Sequence, residues 1–274
     1  MTPSTGYTLG VTSWIFGDTP LVDLAPRLVA WGYDGVVLPG DLSPDRAAAV
    51  RQMLDDHALA VLGFTPPNVD LAHPDPAVHA AAIAAYQRLL DVAAVLGAPL
   101  VGCHGRVGRV APVGEIAEEQ ALLADALAEL AGRARLMGIG LALECLNRYE
   151  SHLANTAEEG LRLLERIGAP NVGLLLDAYH MNIEEADPAA AVRAAGGRLW
   201  VFHVADSNRR APGRGHVDFV PLFAALDDIG FRGPLVVETP APGPNPFTPV
   251  KGPGWLEAVQ DEVLTAARFV RQYR

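Results

Sequence analysis

The 274-residue sequence predicts an α/β fold, a (β/α)8 TIM barrel formed by a single domain over residues 1–274. Short runs of β-branched and other apolar residues alternate with longer Ala/Leu-rich segments, which indicates parallel strands joined by crossover helices. There are eight such runs, and eight units fit a closed barrel of about 250 residues better than an open sheet. Several runs are apolar at every position, as at Leu174, Leu175 and Leu176, which is typical of strands covered on both faces.

Each element of the barrel can be placed in chain order. The eight predicted strands are Tyr7–Ser13, Gly35–Leu38, Ala60–Phe64, Leu100–His104, Gly138–Glu144, Val172–Asp177, Leu199–Ala205 and Pro234–Glu238. Between them, apolar residues recur at i, i+3 and i+4, most clearly in Asp75–Leu96, Gly114–Met137, Thr156–Ile167 and Phe219–Ile229. Pro240–Gly254 is irregular, with five prolines after Pro240. Because it follows the eighth strand, we expect it to overhang the mouth of the barrel and to shape substrate entry.

Composition excludes several classes of protein. The formal net charge of −11 repels phosphate backbones, so we expect no nucleic-acid partner. No apolar run reaches the roughly 18 residues of a membrane span, and the N-terminal MTPSTGYTLG does not resemble a signal peptide. We therefore expect no membrane partner. Two cysteines, Cys103 and Cys145, are too few for a disulfide framework, which favours the reducing cytoplasm, and we interpret both as small apolar fillers.

Polar side chains recur where the predicted strands end. Glu144, Asp177 and Glu238 close the fifth, sixth and eighth strands, His203 lies in the seventh, and His104 closes the fourth. In a β/α barrel these strand ends converge on one face. Three carboxylates would repel one another there, and a divalent cation would remove that repulsion. A ligand set of oxygen and nitrogen without thiolate suits one Mn²⁺, Co²⁺ or Mg²⁺ ion, with Zn²⁺ as an alternative.

Other interpretations exist for each residue taken alone. An acidic residue at a strand end is more often a helix N-cap or a salt-bridge partner. His104 alone fits a core histidine as well as a functional one. Four polar strand ends on consecutive strands favour a site instead. The remaining histidines of loops and helices are expected to be solvated: His57, His73, His79 and His152.

The sequence resembles a known group of enzymes at four ordered motifs. These are ECLNRYE (Glu144–Glu150), LDAYHMNIEE (Leu176–Glu185), HVADSNRRAPGRGHVDF (His203–Phe219) and VVETP (Val236–Pro240). Together they are similar to the sugar isomerase/epimerase superfamily with the xylose-isomerase-like barrel, most closely to the ketose 3-epimerases of the tagatose/allulose type. The segment GYDGVVL resembles the family's second strand, where Val37 replaces the usual glutamate.

The resemblance implies a role for each matching position. The metal ligands would be Glu144, Asp177, His203 and Glu238. The catalytic acid/base pair would be Glu144 and Glu238. The substrate-binding residues would be Glu150, His180 and Arg209, to which we add His104.

The implied activity is divalent-metal-dependent C3 epimerisation of a ketose, by two-base proton transfer through an enediolate. An aldose–ketose or hydroxypyruvate-type isomerase on the same barrel is an open alternative, because the sequence does not separate the two. A DNA-repair endonuclease with a three-metal site fits less well. The third strand lacks a histidine, and His216 precedes Asp218 in the reverse of that family's order. A non-catalytic sugar-binding barrel is disfavoured because both proposed base positions, Glu144 and Glu238, are retained.

The expected partner is therefore a small-molecule sugar. The PGRG segment Pro212–Gly215 is better explained as a tight turn than as a phosphate site, which favours a free sugar. The resemblance also implies a homo-oligomer, a dimer or a tetramer.

Overall fold

The computed structural model describes residues 6–245 and 247–273, so the first five residues of MTPSTGYTLG, Pro246 and Arg274 lie outside the described residues. Eight parallel strands form a closed barrel in chain order, which confirms the predicted (β/α)8 architecture. The strands are β1 (Thr8–Thr12), β2 (Gly35–Pro39), β3 (Ala60–Thr65), β4 (Leu100–Cys103), β5 (Gly140–Glu144), β6 (Val172–Asp177), β7 (Leu199–His203) and β8 (Pro234–Val237).

Helices surround the barrel and connect its strands. They are α1 (Leu21–Trp31), α2 (Ala47–Asp56), α3 (Pro76–Leu96), α4 (Ile116–Leu136), α5 (Ala157–Ile167), α6 (Ala178–Glu184), α7 (Pro188–Ala195), α8 (Phe219–Asp228) and α9 (Trp255–Val270). The four helices with the clearest periodicity end within two residues of their predicted limits. None of the helices in the described part of the chain is long and apolar enough to cross a membrane.

The ends of some strands differ from prediction for local reasons. His104 and Glu238 follow the last residues of β4 and β8, because the chain turns out of the ladder there. Val204 and Ala205 are buried but belong to the loop after β7, so their apolar character extended the predicted strand too far. Gly138 adopts a left-handed conformation (φ 71°), which places it in the turn before β5.

The barrel interior is packed with side chains. A small cluster of Ala142, Leu175, Val201 and Val236 fills it, while the larger core lies outside the sheet under the helices. Trp200 packs on the interior cluster, where a Cβ atom at Gly173 would lie 2.2 Å from its indole ring. Glycine at that position is therefore required by the indole. Cys103 and Cys145 are buried free thiols, as expected for fillers.

Candidate active site

Four of the predicted site residues meet at the carboxyl ends of the strands. Glu144 ends β5, Asp177 ends β6, His203 ends β7, and Glu238 follows β8. Each offers one potential ligand atom, and the four atoms all lie within 4.8 Å of one another. Inward-facing positions on neighbouring parallel strands produce this cluster, with Asp177 paired directly to His203 in the ladder.

The donor atoms of this cluster fit a divalent cation. Ligand bonds of about 2.0–2.6 Å to one centre allow ligand atoms to lie up to about 5 Å apart, which matches the cluster. Asp177 Oδ2 and His203 Nδ1 are buried without any hydrogen-bond partner. Buried polar atoms are rarely left unpaired, so these two orphaned atoms favour a bound ion between them.

Asp177 shows why a helix cap and a metal ligand are compatible. Its Oδ1 atom accepts a hydrogen bond of 2.8 Å from the backbone N–H of Tyr179 and so caps α6. The other oxygen, Oδ2, remains free to face the cluster. The cap therefore fixes the orientation of the carboxylate toward the site.

Glu238 is held by three neighbours. Trp14 donates its indole N–H to Oε1 at 2.7 Å, Arg209 donates to Oε2 at 3.4 Å, and His203 Nδ1 lies 3.7 Å from Oε2. Burial opposes ionisation, but His203, Arg209 and the Trp14 N–H together lower the pKa of Glu238 to about 2. These three neighbours therefore favour the ionised form of Glu238.

Glu144 has the opposite electrostatic environment. Burial raises its pKa to about 8; the charge of His203 opposes this, and Glu238 and Asp177 add to it. Burial likewise raises the pKa of Asp177 to about 7. The surrounding carboxylates overcome the effect of burial on His203 and raise its pKa to about 9. A bound cation would lower all three pKa values, because it supplies positive charge at their shared centre.

Arg209 reaches the site from a loop with unusual geometry. Its backbone is left-handed (φ 58°), a conformation that non-glycine residues seldom adopt, and its guanidinium lies 4.9 Å above the Tyr179 ring. Asp206 shapes this loop by accepting backbone N–H groups from Gly213 and Val217. Asp206 thus organises the turn around Pro212–Gly215 and is not one of the clustered ligands.

Glu150 and His180 are joined through a residue that the sequence did not single out. Arg209 binds Glu150 at 3.2 Å, and Asn147 contacts both Glu150 Oε1 and His180 Nδ1. Because the N–H groups of Asn147 point at Nδ1, the proton of His180 resides on Nε2, which lies 3.9 Å from Glu144 Oε1. Burial and the charge of Arg209 lower the pKa of His180, so its ring is neutral.

A cavity of about 470 Å³ lies above the cluster, and we call it the inner cavity. It is lined by six of the predicted residues, namely His104, Glu144, Glu150, His180, Arg209 and Glu238. His104 is buried at its wall with its Nδ1 against the carbonyl of Gly105, and burial lowers its pKa. Val37 packs on the barrel interior, so this position of β2 brings no carboxylate to the mouth.

Two aromatic residues, Trp14 and Phe247, line the inner cavity, and of these Trp14 was missed at the level of sequence. Trp14 lies in the 3-10 turn Ser13–Phe16, directly after β1, so the rule applied to the other strand ends could have found it. Phe247 comes from Pro240–Gly254 and lines the cavity, as the expected position of that segment over the mouth implies.

The expectation that His152 is solvated is wrong. Its side chain is only 7% exposed, and its Nε2 lies 2.7 Å from Glu119 Oε2. Arg109 binds Glu119 as well and bridges it to Asp70. Arg109 and Glu119 are close in the sequence, but all other pairs in this cluster are separated by 33 residues or more. Local sequence therefore could not reveal the cluster.

The chain is similar in sequence to known proteins over most of its length. A family model described as the xylose isomerase-like TIM barrel matches residues 26–259. Over 197 residues the chain is 38% identical to an L-ribulose 3-epimerase of Methylomonas sp. (strain DH-1), covering 70% of this chain and 68% of the relative. It is 33% identical to a D-psicose 3-epimerase of Agrobacterium fabrum over 204 residues, covering 72% and 70%.

A solved structure is similar over nearly the whole chain. A crystal structure of a D-psicose 3-epimerase in the presence of D-fructose superposes with a TM-score of 0.87 at 27% identity, covering 97% of this chain and 99% of that one.

Proposed function

The chain belongs to the xylose isomerase-like TIM barrel family and, within it, is most similar to the ketose 3-epimerases; from this we propose that it is an isomerase that inverts C3 of a ketose. One observation supports this assignment above the others. Two glutamates, the partly buried Glu144 and the buried Glu238, belong to one cluster beneath a cavity of about 470 Å³ and lie three strands apart around the barrel.

Glu144, Asp177, His203 and Glu238 would hold one divalent cation, for which Mn²⁺, Co²⁺ and Mg²⁺ are the first candidates. When bound, the cation would polarise the ketose carbonyl and stabilise the negative charge that develops on O2. Asp177 Oδ2 and His203 Nδ1 are buried without a hydrogen-bond partner, which supports these two atoms as metal ligands.

The two glutamates would move the proton. One carboxylate takes the C3 proton of the ketose, and the C–H electron pair becomes the C2–C3 double bond of an enediolate, with negative charge on O2. The other carboxyl group, on the opposite side of the sugar, gives its proton to C3 as the charge returns to the carbonyl. C3 is thereby inverted, and proton exchange with solvent restores the pair.

Four further residues would orient the sugar. Arg209 presents N–H donors to sugar oxygens and is held by Glu150, while the Nε2–H of His180 faces the cavity beside Glu144. His104 would contact the sugar from the wall of the inner cavity. Arg209 also holds Glu238 at 3.4 Å, so substrate orientation and one base share a residue.

A product assay tests the proposal. Free ketoses and ketose phosphates are incubated with the protein and Mn²⁺ or Co²⁺ in D₂O, and products are separated by chromatography. We expect the C3 epimer of a free ketose, with deuterium at C3. An aldose product would favour the isomerase alternative, and absence of both turnover and C3 exchange across the panel would contradict the assignment.

We also propose that residues 1–274 form one domain and that the chain forms a dimer or tetramer, as the resemblance implies. Sedimentation velocity measures the oligomeric state directly, and a monomer at micromolar concentration would contradict the proposed dimer or tetramer.

A further inference from the structure

A second cavity adjoins the inner cavity, and we call it the outer groove. It has a volume of about 640 Å³ and lies between the loops after β1 and β2 and the Pro240–Gly254 segment. Trp14 and Phe247 line both cavities and form their common wall. The outer groove therefore adjoins the candidate active site at two aromatic side chains.

The lining of the outer groove combines apolar and charged groups. Leu38, Leu42 and Val50 contribute aliphatic side chains to its lining, in addition to the two aromatic residues. Three charged residues, Asp18, Asp41 and Arg46, are exposed along it. Among the described residues, none makes a hydrogen bond or close ion pair with these three side chains, so their polar atoms are available to a ligand.

This combination suits a neutral polyhydroxylated ligand. Apolar and aromatic side chains cover the C–H faces of a sugar ring, while carboxylate and guanidinium groups bind its hydroxyls. The lining carries two carboxylates and one guanidinium, and the whole chain carries a net charge of −11, so a phosphorylated ligand would be repelled. The volume also falls within the roughly 300–1,000 Å³ of small-molecule sites.

We propose that the outer groove is a second carbohydrate subsite, which binds a glycosyl group carried by the ketose. The proposal rests on the function proposed above. A ketose whose C3 lies between Glu144 and Glu238 fills the inner cavity, and a substituent on its far end passes Trp14 and Phe247 into the outer groove. The substrate class then includes ketose-terminated disaccharides in addition to free ketoses.

The test compares D-fructose with 6-O-glucosyl-D-fructose, whose ketose unit can still open to the free carbonyl. We measure kcat/KM for C3 epimerisation with Mn²⁺, and we measure binding of both sugars by titration calorimetry. We expect the wild-type protein to use the disaccharide at least as efficiently as D-fructose, because the added ring gains contacts in the outer groove.

Two substitutions locate the added ring. Arg46→Ala should lower kcat/KM for the disaccharide by about tenfold, the size of one lost charge-assisted hydrogen bond, and leave that for D-fructose unchanged. Leu42→Trp should block the groove and produce the same selective loss. The matched controls are Arg88→Ala on the exposed side of α3 and Leu136→Trp at the exposed end of α4. Both should leave kcat/KM for the two sugars unchanged.

The outcomes separate the subsite from the function on which it rests. Turnover of D-fructose without turnover or binding of the disaccharide overturns the subsite and leaves the proposed function intact. A second outcome is that the disaccharide binds, that Arg46→Ala and Leu42→Trp weaken this binding, and that neither sugar is turned over. This outcome would support the groove as a sugar site and contradict the proposed epimerase function. Disaccharide turnover unchanged in both variants places the second ring elsewhere and overturns the proposal.

Discussion

Glu144 and Glu238 differ in their surroundings although both carboxylates belong to one cluster. Trp14, Arg209 and His203 stabilise the ionised form of Glu238, whereas burial without a comparable donor raises the pKa of Glu144. Pairs of carboxyl groups whose pKa values are pushed apart are typical of acid/base catalysis. The contrast supports their assignment as the two proton-transfer groups.

Replacement of either glutamate should separate proton transfer from folding. Glu144→Gln and Glu238→Gln keep nearly the same shape, so each should fold and yet lose epimerisation by about 10²–10⁴, the usual contribution of an acid/base group. The measurements are the epimerisation rate and the exchange of the C3 proton into D₂O, with bound metal determined in parallel. Glu165→Gln, an exposed glutamate of α5, is the control. A Gln variant that epimerises at the wild-type rate with metal bound would falsify the two-base mechanism.

Arg209 should affect catalysis more than metal content. Its guanidinium contacts Glu150 and Glu238 but supplies no ligand atom, so Arg209→Ala should lower kcat/KM by at least about tenfold while metal binding persists. Asp177→Asn is the matched comparison, because it alters a proposed ligand. Metal content determined after dialysis distinguishes them, and equal loss of metal from both variants would show that Arg209 is misassigned.

At the scale of elements, the loops on the catalytic face are connected by a buried ionic cluster. Arg109 from the loop after β4 binds Asp70 from the loop after β3 and Glu119 in the first turn of α4. The neighbouring Gly108 donates its N–H to the carbonyl of Glu150 and lines the inner cavity. The cluster therefore supports one wall of the site.

This cluster should make stability depend on pH in acid. Burial of Glu119 opposes its ionisation, but the N–H groups of Gly114 and Val113 together with Arg109 and His152 lower its pKa to about 2. A lowered folded-state pKa gives stability that is present above the unfolded pKa of about 4.3 and is lost as the pH falls toward 2.

Glu119→Gln should therefore destabilise the protein at pH 7 by several kcal/mol, on the order of 3–5 for a broken buried pair. The difference from wild type should shrink between pH 5 and about 2, as wild-type Glu119 becomes protonated. Urea unfolding at a series of pH values measures this difference in the free energy of unfolding. Glu118→Gln, an exposed neighbour in the same turn, should follow the wild-type curve. A difference that is constant over this pH range would show that Glu119 is not the titrating group.

For the whole molecule, a metal that binds only the folded barrel should raise its thermal stability. Saturation at 100 times the dissociation constant adds about 2.7 kcal/mol to the free energy of unfolding. The increase in Tm with Mn²⁺ should grow from pH 6 to pH 8. Protons compete with the ion on Asp177, Glu144 and His203, whose pKa values are raised to about 7, 8 and 9.

Scanning calorimetry with Mn²⁺ and with a chelator measures this shift. The Tm of Asp177→Asn should change little with the ion at any pH, since one ligand oxygen is replaced. A wild-type shift that does not change with pH would contradict protonated ligands in the metal-free protein.

The barrel and the centre of its site can be predicted from the amino-acid sequence. Strand number and order follow from local periodicity, and parallel strands in a barrel bring all their carboxyl ends to one face. Polar residues at the strand ends were therefore enough to predict that Glu144, Asp177, His203 and Glu238 lie close together. In the structure their potential ligand atoms do so.

The side chains that hold and orient those four residues could be identified only in the folded chain. The hydrogen bond from Trp14 to Glu238 spans 224 positions, and the contact of His152 with Glu119 joins the loop after β5 to helix α4. The left-handed backbone that carries Arg209 into the cavity depends on Asp206, and the outer groove exists because three separate segments border it. Such contacts depend on how loops of irregular backbone pack together, and no periodic pattern in the chain records that packing.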